Sequence, residues 1–201
     1  LGNLRLEFQD QGKIENYRRE LDLDKAEVRI SYEEGKTRYL REYFTSAPDK
    51  VLVASLRAEG PGKMNFLIGL DSPHFDYSVQ ADEEGIIMRG KNGDAAGIKG
   101  VLSWEAALRV KVQDGNLTEE GKSLRVKGAS KVLIVVSAAT SYKSWKDQSG
   151  EPSAINRETL KAVQGQSLEA LGQKHRVDYQ EFFRRFSLNL GKTKSSMTKL
   201  P

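Results

Sequence analysis

The chain has 201 residues, 38% hydrophobic and 30% charged, with a net charge of +4 and a pI of about 9.1. That length admits one large domain, or a domain with an appendage, and supplies a sizeable core. The chain contains no cysteine, which excludes disulfides and thiolate metal sites. Its lysines and arginines are interleaved with acids, unlike the clustered basic face of a nucleic-acid binder.

Taken in order, the segments alternate with the period of strands. Leu4, Leu6 and Phe8 oppose Arg5, Glu7 and Gln9, so the chain opens inside a strand. It begins with Leu1 and has no basic leader, so it is expected to start partway through a longer protein. A Gln11-Gly12 turn leads to a second strand ending near Asp24. Ala26, Val28, Ile30 and Tyr32 then share one face, with Glu27, Arg29, Ser31 and Glu33 expected on a wet opposite face. Glu33-Glu34-Gly35-Lys36 is a tight reversal, because Gly35 takes positive φ without a steric cost. Thr37 to Thr45 returns, Ala47-Pro48-Asp49 turns, and Lys50 to Ala58 completes an antiparallel meander. Pro61-Gly62 turns into the inward set Met64, Phe66, Ile68 and Leu70; Phe75, Tyr77 and Val79 are expected to resume it.

Residues 89 to 100, RGKNGDAAGIKG, hold four glycines. A phosphate-cradling loop precedes a helix, whereas here Leu102, Trp104, Ala106, Leu108, Val110 and Val112 alternate as a strand. The loop therefore reads as a connection. Asp114-Gly115 is a hairpin signal. Lys131 to Thr140 is the most buried-looking strand, and its apolar run is too short to span a bilayer. Beyond Thr140 the pattern changes. Ser141 to Ser153 is polar and turn-rich, and Ile155 to Gln164 suits a helix. Ser167 is an N-cap candidate for a second helix, with Glu169 in its first turn. Leu168, Leu171, His175, Tyr179, Phe182 and Phe186 form its apolar face, and Gln173, Arg176, Gln180 and Arg184 the opposite one. Ser187 to Leu190 reads as a final strand or extended arm, followed by a basic tail. Many antiparallel strands followed by helices argue for a sandwich with a helical appendage.

Chemistry-bearing constellations are sparse. His175 lies on the apolar helical face and reads as a buried imidazole satisfied by a neighbour; His74 follows Pro73 in a turn. With two histidines and no cysteine, no metal site and no cofactor are expected. Glu33-Glu34, Asp82-Glu83-Glu84 and Glu119-Glu120 fall at turns, without the ligand spacing of a calcium loop. Trp104 reads as core. Tyr142 and Trp145, in a polar loop, are the candidates for sugar contact, packing being the alternative role.

The runs LGNLRLEF, YRRELDLDKAEVRISY, YLREYFTSAPDKVLVASLRAEGPG, SAATSYKSW and HRVDYQEFFRRFSLNLG are similar, in order and spacing, to glycoside hydrolase family 95. That family comprises α-L-fucosidases and some α-L-galactosidases. The resemblance covers Leu1 to Gly191. It implies a mainly β fold: an antiparallel β-super-sandwich, galactose-mutarotase-like, over residues 1–140, expected to be truncated at its N-terminal side. Linker helices and an extended arm would follow over 141–190. A tail over 191–201 would lead toward an (α/α)₆ barrel. Family members are understood to invert terminal α-L-fucosides, with acid and base roughly 6.5–9.5 Å apart. Those groups lie in the barrel, so no catalytic residue is placed on this chain. The implied partners are the catalytic helical domain of the same polypeptide and a fucosylated glycan; no nucleic acid or membrane is implied, and a secreted or periplasmic location is expected. The alternative is a free-standing carbohydrate-binding module.

Overall fold

The computed structural model describes residues 1–8, 12–189 and 191. Gln11, Leu190 and the basic tail from Lys192 lie outside the described residues. Among those described, twelve strands precede two helices: β1 (Asn3–Phe8), β2 (Ile14–Asp22), β3 (Glu27–Glu34), β4 (Thr37–Ser46), β5 (Val51–Glu59), β6 (Met64–Asp71), β7 (Tyr77–Ala81), β8 (Gly85–Lys91), β9 (Ser103–Gln113), β10 (Asn116–Glu120), β11 (Ser123–Ala129), β12 (Lys131–Thr140), α1 (Pro152–Val163) and α2 (Leu168–Phe183). They build two antiparallel sheets, β1-β6-β11-β10 and β2-β3-β4-β5-β12-β9-β8-β7.

The meander from β2 to β5 forms as its alternation and turns dictate. Gly35 takes φ +58 between Glu34 and Thr37, which pair across the reversal. The inner face of the large sheet packs on the small one. Phe66, Ile68, Leu124 and Val126 from the small sheet meet Leu56, Ile86, Met88, Trp104, Leu108 and Ile134. Each of these apolar side chains is removed from water, which stabilises the sandwich by about 1.5–3 kcal/mol per large residue. Gly90 makes this packing possible: a Cβ there would come within 2.5 Å of the Trp104 ring.

The outer face of the large sheet is covered as well. Phe44, Val51, Val53 and Val135 join Val163 of α1 and Leu171 of α2 in a second apolar cluster. The molecule therefore has three layers: small sheet, large sheet and helices. This explains the near-continuous apolar character of β12, which is covered on both faces.

Four local expectations are corrected. Asp114-Gly115 does not close a hairpin: β9 stays in the large sheet, while β10 pairs only with β11 in the small one. The turn switches sheets, held by Ser130, whose N–H donates to Gln113 O at 3.0 Å and whose hydroxyl donates to Asp114 Oδ2 at 2.6 Å. Phe75 does not resume the inward set; it is fully exposed in the loop before β7. Glu27 is not on a wet face. It is 3% exposed because α2 lies over it. The apolar face of α2 is also rotated from its expected position, as described below. Of the two readings for the segment after α2, a final strand or an extended arm, the strand is not formed at Ser187 to Asn189.

Candidate functional site

β12 delivers the chain into the loop 141–149 at one end of the sandwich. Ser141 N donates to Ser103 O at 2.9 Å, and Gly150 N donates to Ser141 O at 2.8 Å, so the loop leaves and returns at one point. Ser144 and Asp147 close its tip through mutual backbone bonds. Tyr142 is 56% exposed and Trp145 78% exposed, which places both sugar-contact candidates on one short solvent-facing loop. They are not packed into the core. The Lys146 ammonium lies 4.4 Å from the Trp145 ring centroid, so one face of the indole is already engaged. Hydrogen bonds from the Ser149 side chain, then its backbone, hold the Asp147 carboxyl below its ordinary value. The glycine-rich segment closes at this same end. Asn92 N donates to Leu102 O at 3.0 Å, Leu102 N donates to Asn92 Oδ1 at 2.7 Å, and β9 follows. It is the connection that the alternation implied.

The helical layer carries the densest polar contacts. Pro152 starts α1 at a position where no backbone N–H is needed. The helix is locked to the sheet through Glu105, a residue only 2% exposed. The Glu105 carboxylate accepts from Arg89 Nε at 2.6 Å, Ser153 Oγ at 2.5 Å and Asn156 Nδ2 at 3.1 Å. Ser137 Oγ donates to Asn156 Oδ1 at 2.8 Å and completes the network. Ser167 caps α2 by accepting from Ala170 N at 3.1 Å, as expected.

Helix α2 docks on the β2–β3 turn mainly through polar groups. Arg184 pairs with both Asp24 oxygens at 2.9 and 2.6 Å, and this hydrogen bonding holds the Asp24 carboxyl below its ordinary value. Arg176 Nη1 donates to Glu27 Oε1 at 2.7 Å, and Tyr179 Oη donates to Leu23 O at 2.9 Å. The residues expected on the solvent side, Arg176, Gln180 and Arg184, thus face the sheet. Phe182 and Phe186 instead face water, Phe186 at 77% exposure. Period alone defines the stripe on α2. The turn carbonyls and acids of residues 23–27 decide which flank of that stripe turns inward.

The other candidates have structural uses. His175 is buried, with Nε2 2.9 Å from Lys25 O, which requires the proton on that nitrogen; its ring stacks on Phe44 at 5.0 Å. His74 lies against Trp104 at 5.6 Å. Asp82 caps its own turn by accepting from Glu84 N and Gly85 N. Glu120 pairs with Arg125 at 2.8 and 2.7 Å. Among the described residues no group of three or more potential ligands could hold a metal ion, and no helix is long and apolar enough to cross a membrane. The buried carboxylates of Glu27 and Glu105 escaped the sequence reading. The usable signal was apolar residues on the nominally wet face, such as Ala107, Leu133 and Val135.

Against this geometry, a family model described as "Glycosyl hydrolase family 65, N-terminal domain" matches residues 1–145. The chain belongs to this family. This glycosyl hydrolase N-terminal domain is 31% identical over 229 residues to "Alpha-L-fucosidase 2" of Arabidopsis thaliana, a match covering 98% of the chain and 27% of that protein. It is 29% identical over 206 residues to "Probable alpha-fucosidase A" of Aspergillus niger, covering 94% of the chain and 25% of that protein. A human-microbiome protein assigned provisionally as a kojibiose phosphorylase shares the fold. Its TM-score is 0.61 at 13% identity, over 90% of this chain and 27% of that one. The chain therefore spans about a quarter of the curated relatives it matches. The resemblance to fucosidases read from the sequence holds, and the architecture is that of a glycoside hydrolase N-terminal sandwich.

Proposed function

We propose that this chain is the non-catalytic N-terminal region of a glycoside hydrolase, an inverting α-L-fucosidase acting on terminal α-L-fucosyl glycans. The observation that carries the reading is its collinear match to two fucosidase-named proteins, over nearly all of the chain but only about a quarter of theirs. In this reading the sandwich is a scaffold, and the helical layer braces a catalytic helical domain of the same polypeptide. The exposed Val177 and Phe182 on α2, with Phe186 just beyond its end, support that role, since exposed apolar side chains want a partner. Acid and base come from the other domain, and the location is secreted or periplasmic.

An aryl α-L-fucoside assay tests this. The 201-residue chain alone should release no phenol, whereas a longer polypeptide that contains it should release fucose with inverted anomeric configuration. Turnover by the chain alone would sink the scaffold reading. The exposure of Tyr142 and Trp145 favours a second reading, a carbohydrate-binding module. That reading requires the isolated chain to bind fucose, with tryptophan fluorescence reporting a change that Trp145→Ala abolishes.

A further inference from the structure

A cavity of about 540 Å³ opens between α1 and the outer face of β8, β9 and β12. Its walls are apolar, with Ile87, Ala107, Leu133, Val135 and Leu160 among them. Four cations line it: Arg109 and Lys111 from β9, and Arg157 and Lys161 from α1. A fifth, Arg89, is spent on Glu105. Glu105 itself is fully engaged by Arg89, Ser153 and Asn156. Arg109 is loosely matched by two exposed acids at the mouth, Asp82 at 3.6 Å and Glu84 at 3.9 Å. Lys111, Arg157 and Lys161 have no ion-pair partner among the described residues.

Long side chains often lay their stems over apolar surface, which would account for their length here. It does not account for their common sign. Arg157 and Lys161 are four apart on one helix, a spacing at which like charges repel, and β9 adds two more cations to the same space. Apolar walls of low dielectric concentrate that positive field. A cavity of this volume, apolar with a few convergent polar groups, has the make-up of a small-molecule site.

We propose that this cavity binds a compact organic anion, a carboxylate or phosphate carried on a body with an apolar face, such as an acidic or phosphorylated monosaccharide. Arg109, Lys111, Arg157 and Lys161 hold the anionic group, and Leu133, Val135 and Leu160 receive the body. This site is independent of the fucosidase reading and of the 141–149 loop.

Titration calorimetry on the 201-residue chain tests it with glucuronate, glucose 6-phosphate, glucose and inorganic phosphate. The two anionic sugars should bind, and glucose should not. Their affinity should fall several-fold between about 50 and 300 mM salt, as screening shortens the reach of the field. The double variant R157Q/K161Q should weaken binding at least ten-fold while its circular dichroism is unchanged. Lys122→Gln, on the β10–β11 turn, should leave binding as it was. Equal binding of glucose, failure of both anionic sugars to bind, or undiminished binding by R157Q/K161Q would each overturn the site. Inorganic phosphate binding as tightly as glucose 6-phosphate would overturn the role given to the apolar walls.

Discussion

The two faces of the large sheet are both covered, but by opposite means. The inner face meets the small sheet through dry apolar packing, with Phe66, Ile68, Leu124 and Val126 excluded from water. The outer face meets the helices through a modest apolar patch ringed by buried polar groups, Glu27, Glu105, Asn156 and His175. Apolar packing is non-directional, so it holds two sheets together without fixing much detail. Hydrogen bonds to buried carboxylates demand particular partners at particular places. The sandwich is thus the source of cohesion, and the outer layer is the source of registration: it fixes where α1 and α2 sit.

This contrast can be broken at either face. The largest effect is expected from Phe66→Ala, which empties a fully buried site stacked on Phe8 at 4.7 Å. It should cost about 3–5 kcal/mol in denaturant unfolding, with both layers lost together. Glu105→Ala should cost less, about 2–3 kcal/mol, because it removes the carboxylate that accepts from Arg89 and Ser153, while Asn156 keeps its bond to the Glu105 backbone carbonyl. Hydrogen exchange should show α1 opening first, with the sandwich amides still protected. Loss of protection throughout at once would show that the two faces are a single cooperative unit. Ser167→Ala removes the α2 cap and should cost about 1 kcal/mol. The smallest effect is the acid response of Asp24. Its folded-state pKa is depressed by Arg184, so its contribution is present above the ordinary carboxylate value. That contribution is lost as pH falls through the folded value. Amides of α2 should lose protection in that acid window, and Asp24→Asn should remove the pH dependence.

The inner face was legible because its pattern is one-dimensional. Met64, Phe66 and Ile68, and Trp104, Ala106 and Leu108, are each spaced by two, and period two locates a buried face without knowledge of the partner. The outer face was not legible in the same way. Glu27 and Glu105 occupy positions that the same period assigns to water, and only helices arriving from further along the chain bury them, Asn156 lying 51 residues beyond Glu105 and Arg176 149 residues beyond Glu27. The rotation of α2 has a similar origin, since it depends on acids and carbonyls of the β2–β3 turn rather than on anything within the helix. The Asp114-Gly115 turn was identified as a turn, but a turn's residues do not say whether the next strand stays in its sheet or crosses to the other. Of the candidate sugar-contact residues, sequence placed Tyr142 and Trp145 in a loop, and the structure adds that both reach solvent.

One feature of the topology bears on how the molecule is made. Among the described strands β1 pairs with β6, far along the chain, with Asn3 opposite Asp71, and β5 waits on its far side for β12, with Val53 opposite Val135. Such distant pairings are slow to find. A chain leaving the ribosome therefore holds β1 without this partner until β6 has emerged, and the meander of β2 to β5 forms before β12 can cover its edge. Within this stretch, chaperone demand should thus be greatest before β12 emerges and fall once β12 threads between β5 and β9.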